Sequence, residues 1–143
     1  MKFKILLIAI LLFPCYLLAQ ENEQAKKHED VEWYWIIYLK FKIDKKAEAH
    51  DIIKTYWRPI ETRIGTEQYA YEFETGEWDL LRVVKMPEGI STLEWELSPM
   101  RIEYNKEFMK IAGSEEVMNE VRKKWSECLQ DIKTDIAKTF IPD

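Results

Sequence analysis

The segment from Glu32 to Ile43 constrains the fold most, because two kinds of side chain alternate through it without interruption. One face of this segment is wholly apolar and consists of Trp33, Trp35, Ile37, Leu39, Phe41 and Ile43. The other face mixes aromatic, aliphatic and charged side chains, namely Glu32, Tyr34, Ile36, Tyr38, Lys40 and Lys42. Strict alternation predicts a β-strand over 32–43. We expect the apolar face to lie under helices and the mixed face to form a cavity wall or an interface.

The next two elements are predicted to be a helix and a hairpin. Asp44 can cap a helix, and apolar residues recur at helical spacing up to Gly65, which predicts a helix over 45–63. Pro59 should kink this helix or end it early. Alternating patterns then predict strands over 67–74 and 77–86, joined by a tight turn at Thr75-Gly76.

The chain after Gly89 is predicted to be mainly helical. Thr92 to Leu97 fits either a short helix, which we favour, or a short strand. Ser98 followed by Pro99 begins a helix that should end at Gly113. A last helix is predicted from Ser114, because apolar residues recur at steps of three and four. This stripe consists of Val117, Val121, Trp125, Cys128, Ile132, Ile136 and Phe140.

This order of elements predicts the fold class α+β. The sequence β-α-β-β-α is that of a ferredoxin-like layer, here with extra C-terminal helices and an antiparallel sheet covered on one face. The pattern supports one domain over 32–143, preceded by a flexible polar tether over 20–31.

The N-terminus has the organisation of a signal peptide. Lys2 and Lys4 precede an apolar run that is shorter than the roughly 20 residues of a membrane span. The run meets Ala19 just before a polar stretch, so residues 1–19 are predicted to be removed by cleavage before Gln20. An uncleaved anchor and a lipoprotein modified at Cys15 are the alternatives. The predicted location is periplasmic or secreted.

Charge and cysteine content exclude several classes of function. Loss of residues 1–19 would leave 19 basic and 26 acidic residues, a formal charge of −7, which disfavours nucleic acid and anionic membranes as partners. Cys128 would then be the only cysteine, and we expect a packed core thiol rather than a nucleophile or an intermolecular disulfide. The sequence has no zinc spacing, phosphate loop or dinucleotide motif, so no metal and no cofactor is predicted.

Three stretches of the sequence resemble known families. These are Phe73-Glu74-Thr75-Gly76-Glu77-Trp78-Asp79, the segment Leu93-Glu94-Trp95-Glu96-Leu97-Ser98-Pro99, and the Ala-Gln cleavage site. With the order of elements, they resemble the dimeric α/β-barrel superfamily, which includes antibiotic-biosynthesis monooxygenases and NIPSNAP-like proteins, and more narrowly uncharacterised exported proteins of Bacteroidetes type. The resemblance implies a homodimer. It also implies a fourth strand, which either Thr92 to Leu97 supplies or the sheet lacks.

Aromatic side chains beside charges mark the candidate binding site. The predicted ligand-binding residues are Tyr34, Tyr38, His50, Tyr69, Tyr71, Trp78 and Arg82. The strand residues among them could line a pocket for a small hydrophobic or aromatic ligand, or could form a homodimer interface, or both. His50 is included among the predicted ligand-binding residues because some haem-handling members of the superfamily place a histidine on a helix beside the cavity. Carboxylates also crowd the hairpin (Glu72, Glu74, Glu77 and Asp79), and a solvated acidic turn accounts for them better than acid/base chemistry or a calcium site.

Three hypotheses for function follow. The leading one is an exported small-ligand-binding domain with an aromatic pocket on the sheet face. The second, implied by the resemblance, is a cofactor-independent monooxygenase or haem-handling enzyme. The third is a structural or partner-binding protein without a pocket.

Overall fold

The computed structural model describes residues 31–66 and 68–139. The predicted signal peptide, almost all of the tether and Phe140 lie outside the described residues. The strands are β1 (Trp33–Phe41), β2 (Gln68–Glu72), β3 (Leu80–Lys85) and β4 (Leu129–Lys138). The α-helices are α1 (Lys46–Ile52), α2 (Arg58–Ile64), α3 (Pro99–Ala112) and α4 (Glu115–Cys128).

The strands form one four-stranded antiparallel sheet in the order β2-β3-β1-β4. The apolar face of β1 packs against the helices, and Leu39 and Phe41 are 2% and 1% exposed. The alternation that predicted this strand also placed its buried face correctly. The fold class predicted from the sequence, a ferredoxin-like α+β layer with one covered face, is confirmed.

The first strand ends two residues earlier than predicted. The register between β1 and β4 shifts between Lys40 and Phe41, so Gln130 has no partner in β1. Ile43 then lies in a 3₁₀ turn (Ile43–Lys45) and is 91% exposed. Its apolar side chain continued the alternating pattern beyond the point where strand pairing stops.

The predicted helix continues through Pro59 instead of ending there. A π-helical segment (Ile53–Trp57) joins α1 to α2, and Pro59 falls in the first turn of α2. A wider turn before the proline accommodates its missing N–H and its ring. The helix ends at Gly65, whose φ of 64° is readily available only to glycine.

The hairpin has shorter strands and a longer loop than predicted. Residues 73–79 form the loop between β2 and β3, so the turn is not a tight one at Thr75-Gly76. The loop is closed by the amide of Phe73, which donates to the carbonyl of Asp79 at 2.9 Å. Asp79 also donates from its own amide to the carbonyl of Leu39 at 2.9 Å, which ties the loop to β1.

The prediction of one last helix as far as Phe140 is wrong. Helix α4 ends at Cys128, and the chain passes directly into β4. Ile132 and Ile136 are four residues apart, a spacing that keeps two side chains on one face of a helix and also on one face of a strand. Pairing with the whole length of β1 decides for the strand.

Strand β4 supplies the fourth strand, so both earlier explanations of the sheet are wrong. Thr92 to Leu97 does not extend the sheet, since Gly89–Glu94 is a 3₁₀ helix and the chain after it is irregular. Gly89 begins this segment with a φ of 59°, and a Cβ there would come within 3.2 Å of the Trp33 ring. Among the described residues, no helix has the length and apolar character needed to cross a membrane.

Candidate functional site

The predicted site residues lie on two different faces of the sheet. Tyr34, Tyr38, Tyr69 and Tyr71 project from the face that the helices leave open, because their positions alternate with the buried ones along β1 and β2. Trp78 joins them, with its ring centroid 5.7 Å from that of Tyr38. None of these aromatic residues lines either of the cavities described below.

Arg82 and His50 are separated from the tyrosines. Arg82 pairs with Ile37 in the sheet and therefore projects from the helix-covered face. His50 lies on α1 and is largely exposed, with its Nε2 3.4 Å from Oε1 of Glu72. The structure therefore places five of the seven predicted residues on the open face of the sheet, Arg82 on the covered face and His50 on α1.

One of several cavities, which we call the main cavity, lies between the covered face of the sheet and the helices. It has a volume of about 410 Å³ and is lined by β1, β3, α2, α3 and the segment between β3 and α3. Its apolar lining consists of Trp35, Ile37, Ile64, Val84, Leu93, Trp95 and Met100. Its polar and charged lining consists of Glu61, Thr66, Gln68, Arg82, Thr92, Glu96, Ser98, Arg101 and Tyr104.

A partly buried polar cluster, which we call the Arg82 bridge, forms one part of the cavity wall. Nη2 of Arg82 donates to Oε1 of Glu61 and, at 2.8 Å, to Oε1 of Gln68. The side chains of Arg82 and Glu61 are 23% and 11% exposed, so this ion pair is largely shielded from water. A pair held in this way positions its members well, and removal of either partner would leave a buried charge alone.

Tyr104 on α3 adds a phenol to the same cavity. Burial raises the pKa of Tyr104 well above its usual range; the Glu61 carboxylate raises it further, while the charges of Arg82 and Arg122 oppose this rise. The phenol is therefore protonated at any physiological pH and available as a hydrogen-bond donor.

A second, smaller cavity lies on the other side of the Arg82 bridge. It has a volume of about 360 Å³, and Glu61, Gln68 and Arg82 line both cavities. His50 lines only this smaller space, where Trp57 and Trp125 form an aromatic wall with their rings 5.7 Å apart. The histidine suggested by the superfamily resemblance is thus absent from the lining of the larger cavity.

Sequence reasoning missed Glu61 and Tyr104. Glu61 follows Trp57 by four residues and precedes Ile64 by three, so a carboxylate falls on the apolar stripe of its helix. Tyr104 precedes the buried Phe108 by four residues. A polar group on an apolar stripe is the signal that could have identified both residues.

Cys128 is a packed core thiol, as predicted. Cys128 is fully buried at the end of α4, and burial raises the pKa of its thiol. No group of three histidine, cysteine, aspartate or glutamate side chains within residues 31–66 and 68–139 is arranged to hold a metal ion.

Comparison with known proteins identifies the fold. No protein-family profile and no curated protein sequence matches the chain. Among solved structures, a NIPSNAP-family protein of unknown function from Agrobacterium tumefaciens is 14% identical, with a TM-score of 0.52 over 80% of this chain and 94% of that one. A second NIPSNAP-family protein from the same organism is 11% identical, with a TM-score of 0.52 over 84% of this chain and 95% of that one. The chain therefore has the ferredoxin-like α+β fold of these NIPSNAP-family structures.

Proposed function

We propose that this chain is an exported domain that binds a small, largely apolar ligand in the cavity between the sheet and the helices. The observation that carries this proposal is the cavity itself, whose 410 Å³ lies within the range of about 300 to 1,000 Å³ typical of small-molecule sites. Apolar walls with a few converging polar groups are also typical of such sites. The proposed site thus lies on the covered face of the sheet, whereas the aromatic pocket was expected on the open face.

Binding of a neutral fluorescent probe tests this proposal. N-phenyl-1-naphthylamine gains fluorescence in apolar surroundings, and we expect saturable enhancement with the wild-type protein. Met100→Trp, which fills the cavity from α3, should abolish the enhancement. Ile102→Trp on the same helix is the matched control, because Ile102 is 40% exposed and does not line the cavity. Unchanged binding by Met100→Trp, or loss of binding on Tyr71→Ala, would place the site elsewhere.

We also propose that the open face of the sheet is a homodimer interface. Its centre is apolar, with Ile36, Val83 and Leu81 in neighbouring strands, flanked by Tyr69 and Tyr71 at 53% and 55% exposure. Tyrosines around an apolar centre are enriched at protein interfaces. Light scattering should give a dimer mass for the wild type and a monomer mass for Val83→Asp. A wild-type monomer at tens of micromolar would refute the dimer.

We also propose that the protein is exported. This proposal rests on the signal-peptide pattern of residues 1–19 and on the resemblance to exported Bacteroidetes-type proteins. Intact-mass measurement on protein from its native host should give a chain that begins at Gln20. A mass that retains Met1, or a lipid adduct on Cys15, would contradict this part of the proposal.

A further inference from the structure

The Arg82 bridge and Tyr104 have hydrogen-bonding capacity that the protein leaves unused. Among the described residues, Arg82 donates only through Nη2, so Nε and Nη1 make no hydrogen bond. The amide nitrogen of Gln68 and the hydroxyl of Tyr104 are likewise unbonded within residues 31–66 and 68–139. None of the buried side-chain nitrogens or oxygens in that part of the chain lacks a partner, so these unbonded atoms must reach open space.

The space that these donors share is the main cavity. Arg82, Gln68 and Tyr104 all line it. The charges of Glu61 and Arg82 both act on the pKa of Tyr104. The wall of this cavity therefore includes guanidinium, amide and phenol donors.

The described residues that line the cavity carry no net charge. Glu61 and Glu96 supply two negative charges, and Arg82 and Arg101 supply two positive charges. The positive charge of Arg82 is already matched by Glu61 in the bridge. A carboxylate bound at the bridge would lie beside the Glu61 carboxylate, which repels it and already pairs with Arg82, whereas a neutral acceptor would satisfy the free donors without that repulsion.

We infer that the ligand of this cavity is a neutral, mainly apolar molecule with a carbonyl oxygen, such as a ketone, aldehyde or quinone. The carbonyl oxygen accepts hydrogen bonds from Arg82 and Tyr104, and the rest of the molecule lies against the apolar walls. This inference rests on the proposed function and adds the chemical class of the ligand.

Three naphthalenes of nearly equal shape test the inference by displacing N-phenyl-1-naphthylamine. They are 2-acetylnaphthalene, which is a ketone, 2-isopropylnaphthalene, which has no acceptor, and 2-naphthoate, which is an anion. We expect the ketone to bind at least about tenfold more tightly than the other two, since a hydrogen bond to a charged donor is worth roughly one to two powers of ten.

Two variants assign the preference to the named residues. Arg82→Met combined with Glu61→Gln removes the guanidinium donors without leaving an unpaired charge, and it should reduce the preference for the ketone over the isopropyl compound. Adding Tyr104→Phe to this variant should reduce that preference further. Tyr104→Phe should weaken only the ketone. The matched control is Arg63→Met combined with Glu107→Gln, which removes an ion pair of 3.5 Å between two residues that do not line the cavity and should leave the preference intact; it also removes the pair of Glu107 with Lys110. Circular dichroism verifies that each variant is folded.

The outcomes separate this inference from the proposed function. Displacement with equal affinity by all three compounds, or tightest binding by 2-naphthoate, would overturn the carbonyl inference and leave the binding function standing. An undiminished ketone preference in the folded Arg82→Met and Glu61→Gln variant would also overturn it. Failure of the probe itself to bind would overturn both proposals.

Discussion

Replacing Asp79 by alanine tests how the hairpin loop is attached to the first strand. The Asp79 side chain is 20% exposed and accepts a hydrogen bond from the amide of Phe41 at 2.7 Å. Its other oxygen lies 2.5 Å from Nζ of Lys46, whose side chain is 50% exposed. Because Phe41 is 1% exposed, its amide has little access to water once the carboxylate is removed.

The magnitude follows from these burial values. Loss of a charged acceptor for a buried N–H costs about 1.5–3 kcal/mol of unfolding free energy, whereas a half-exposed ion pair contributes about 0–1 kcal/mol. We therefore expect Asp79→Ala to lower the unfolding free energy by about 2–3 kcal/mol and Asp79→Asn, which keeps an oxygen acceptor, by about 1 kcal/mol. Lys46→Met should cost no more than about 0.5 kcal/mol.

The effect should depend on pH in one direction. Burial alone would raise the pKa of Asp79, but Lys46 and the Phe41 amide outweigh it, and the pKa in the folded protein is lowered. A lowered pKa means that the stabilisation is complete above the unfolded-state pKa of about 3.9 and is lost as the pH falls through the folded-state value. The difference between wild type and Asp79→Asn should therefore be constant from about pH 7 to 5 and shrink below about pH 4.

Urea unfolding followed by tryptophan fluorescence measures these differences, with the three variants and the wild type compared at pH 7, 5 and 3. The reasoning fails if Asp79→Ala is no less stable than Lys46→Met, because the amide hydrogen bond would then contribute nothing. It also fails if the gap between wild type and Asp79→Asn grows as the pH falls.

Three further predictions concern other parts of the fold. Gly89→Ala should lower the unfolding free energy more than Gly113→Ala does, and the difference should be about 1 kcal/mol or more. Both glycines have positive φ, but of the two only Gly89 has a ring within 3.2 Å of an added Cβ; thermal unfolding measures the difference. Cys128 should react with a thiol reagent at pH 8 only after denaturation, since it is fully buried. Lys133→Pro should destabilise the protein more than Thr134→Pro in the same assay. The amide of Thr139 donates to Glu32 in β1, and amides that face the partner strand recur at every second residue, so the Lys133 amide faces β1 and the Thr134 amide faces outward.

The parts of the fold that local pattern determines were predictable. Residues 32–41 alternate so strictly that both the strand and its buried face follow from the sequence. Ser98 and Ser114 were identified as helix starts, and each accepts a hydrogen bond at 3.2 Å from the backbone amide three residues later. Gly65 and Gly113 end helices with positive φ, as their positions predicted.

The parts that failed depend on contacts between distant segments. Ile132 and Ile136 fit a helix and a strand equally well, and only β1, almost a hundred residues earlier, decides between them. The same is true of the candidate site. Glu61 and Arg82 are on different elements, and nothing in the local sequence indicates that they meet. Arg82 itself was assigned to the wrong face, because the hairpin loop is longer than the pattern suggested and the strand faces were counted without the register.

The pairing of β1 with β4 joins the two ends of the described domain. The amide of Thr139 donates to the carbonyl of Glu32 at 2.9 Å, and the amide of Glu32 donates to the hydroxyl of Thr139 at 3.0 Å. During synthesis from the N-terminus, β1 is made first, whereas β4, one of its two neighbours in the sheet, is made last. Its edge therefore remains open until nearly the whole domain is available, and such long-range pairing slows folding. A ribosome or export channel that still holds the last ten residues of the domain would keep this sheet at three strands.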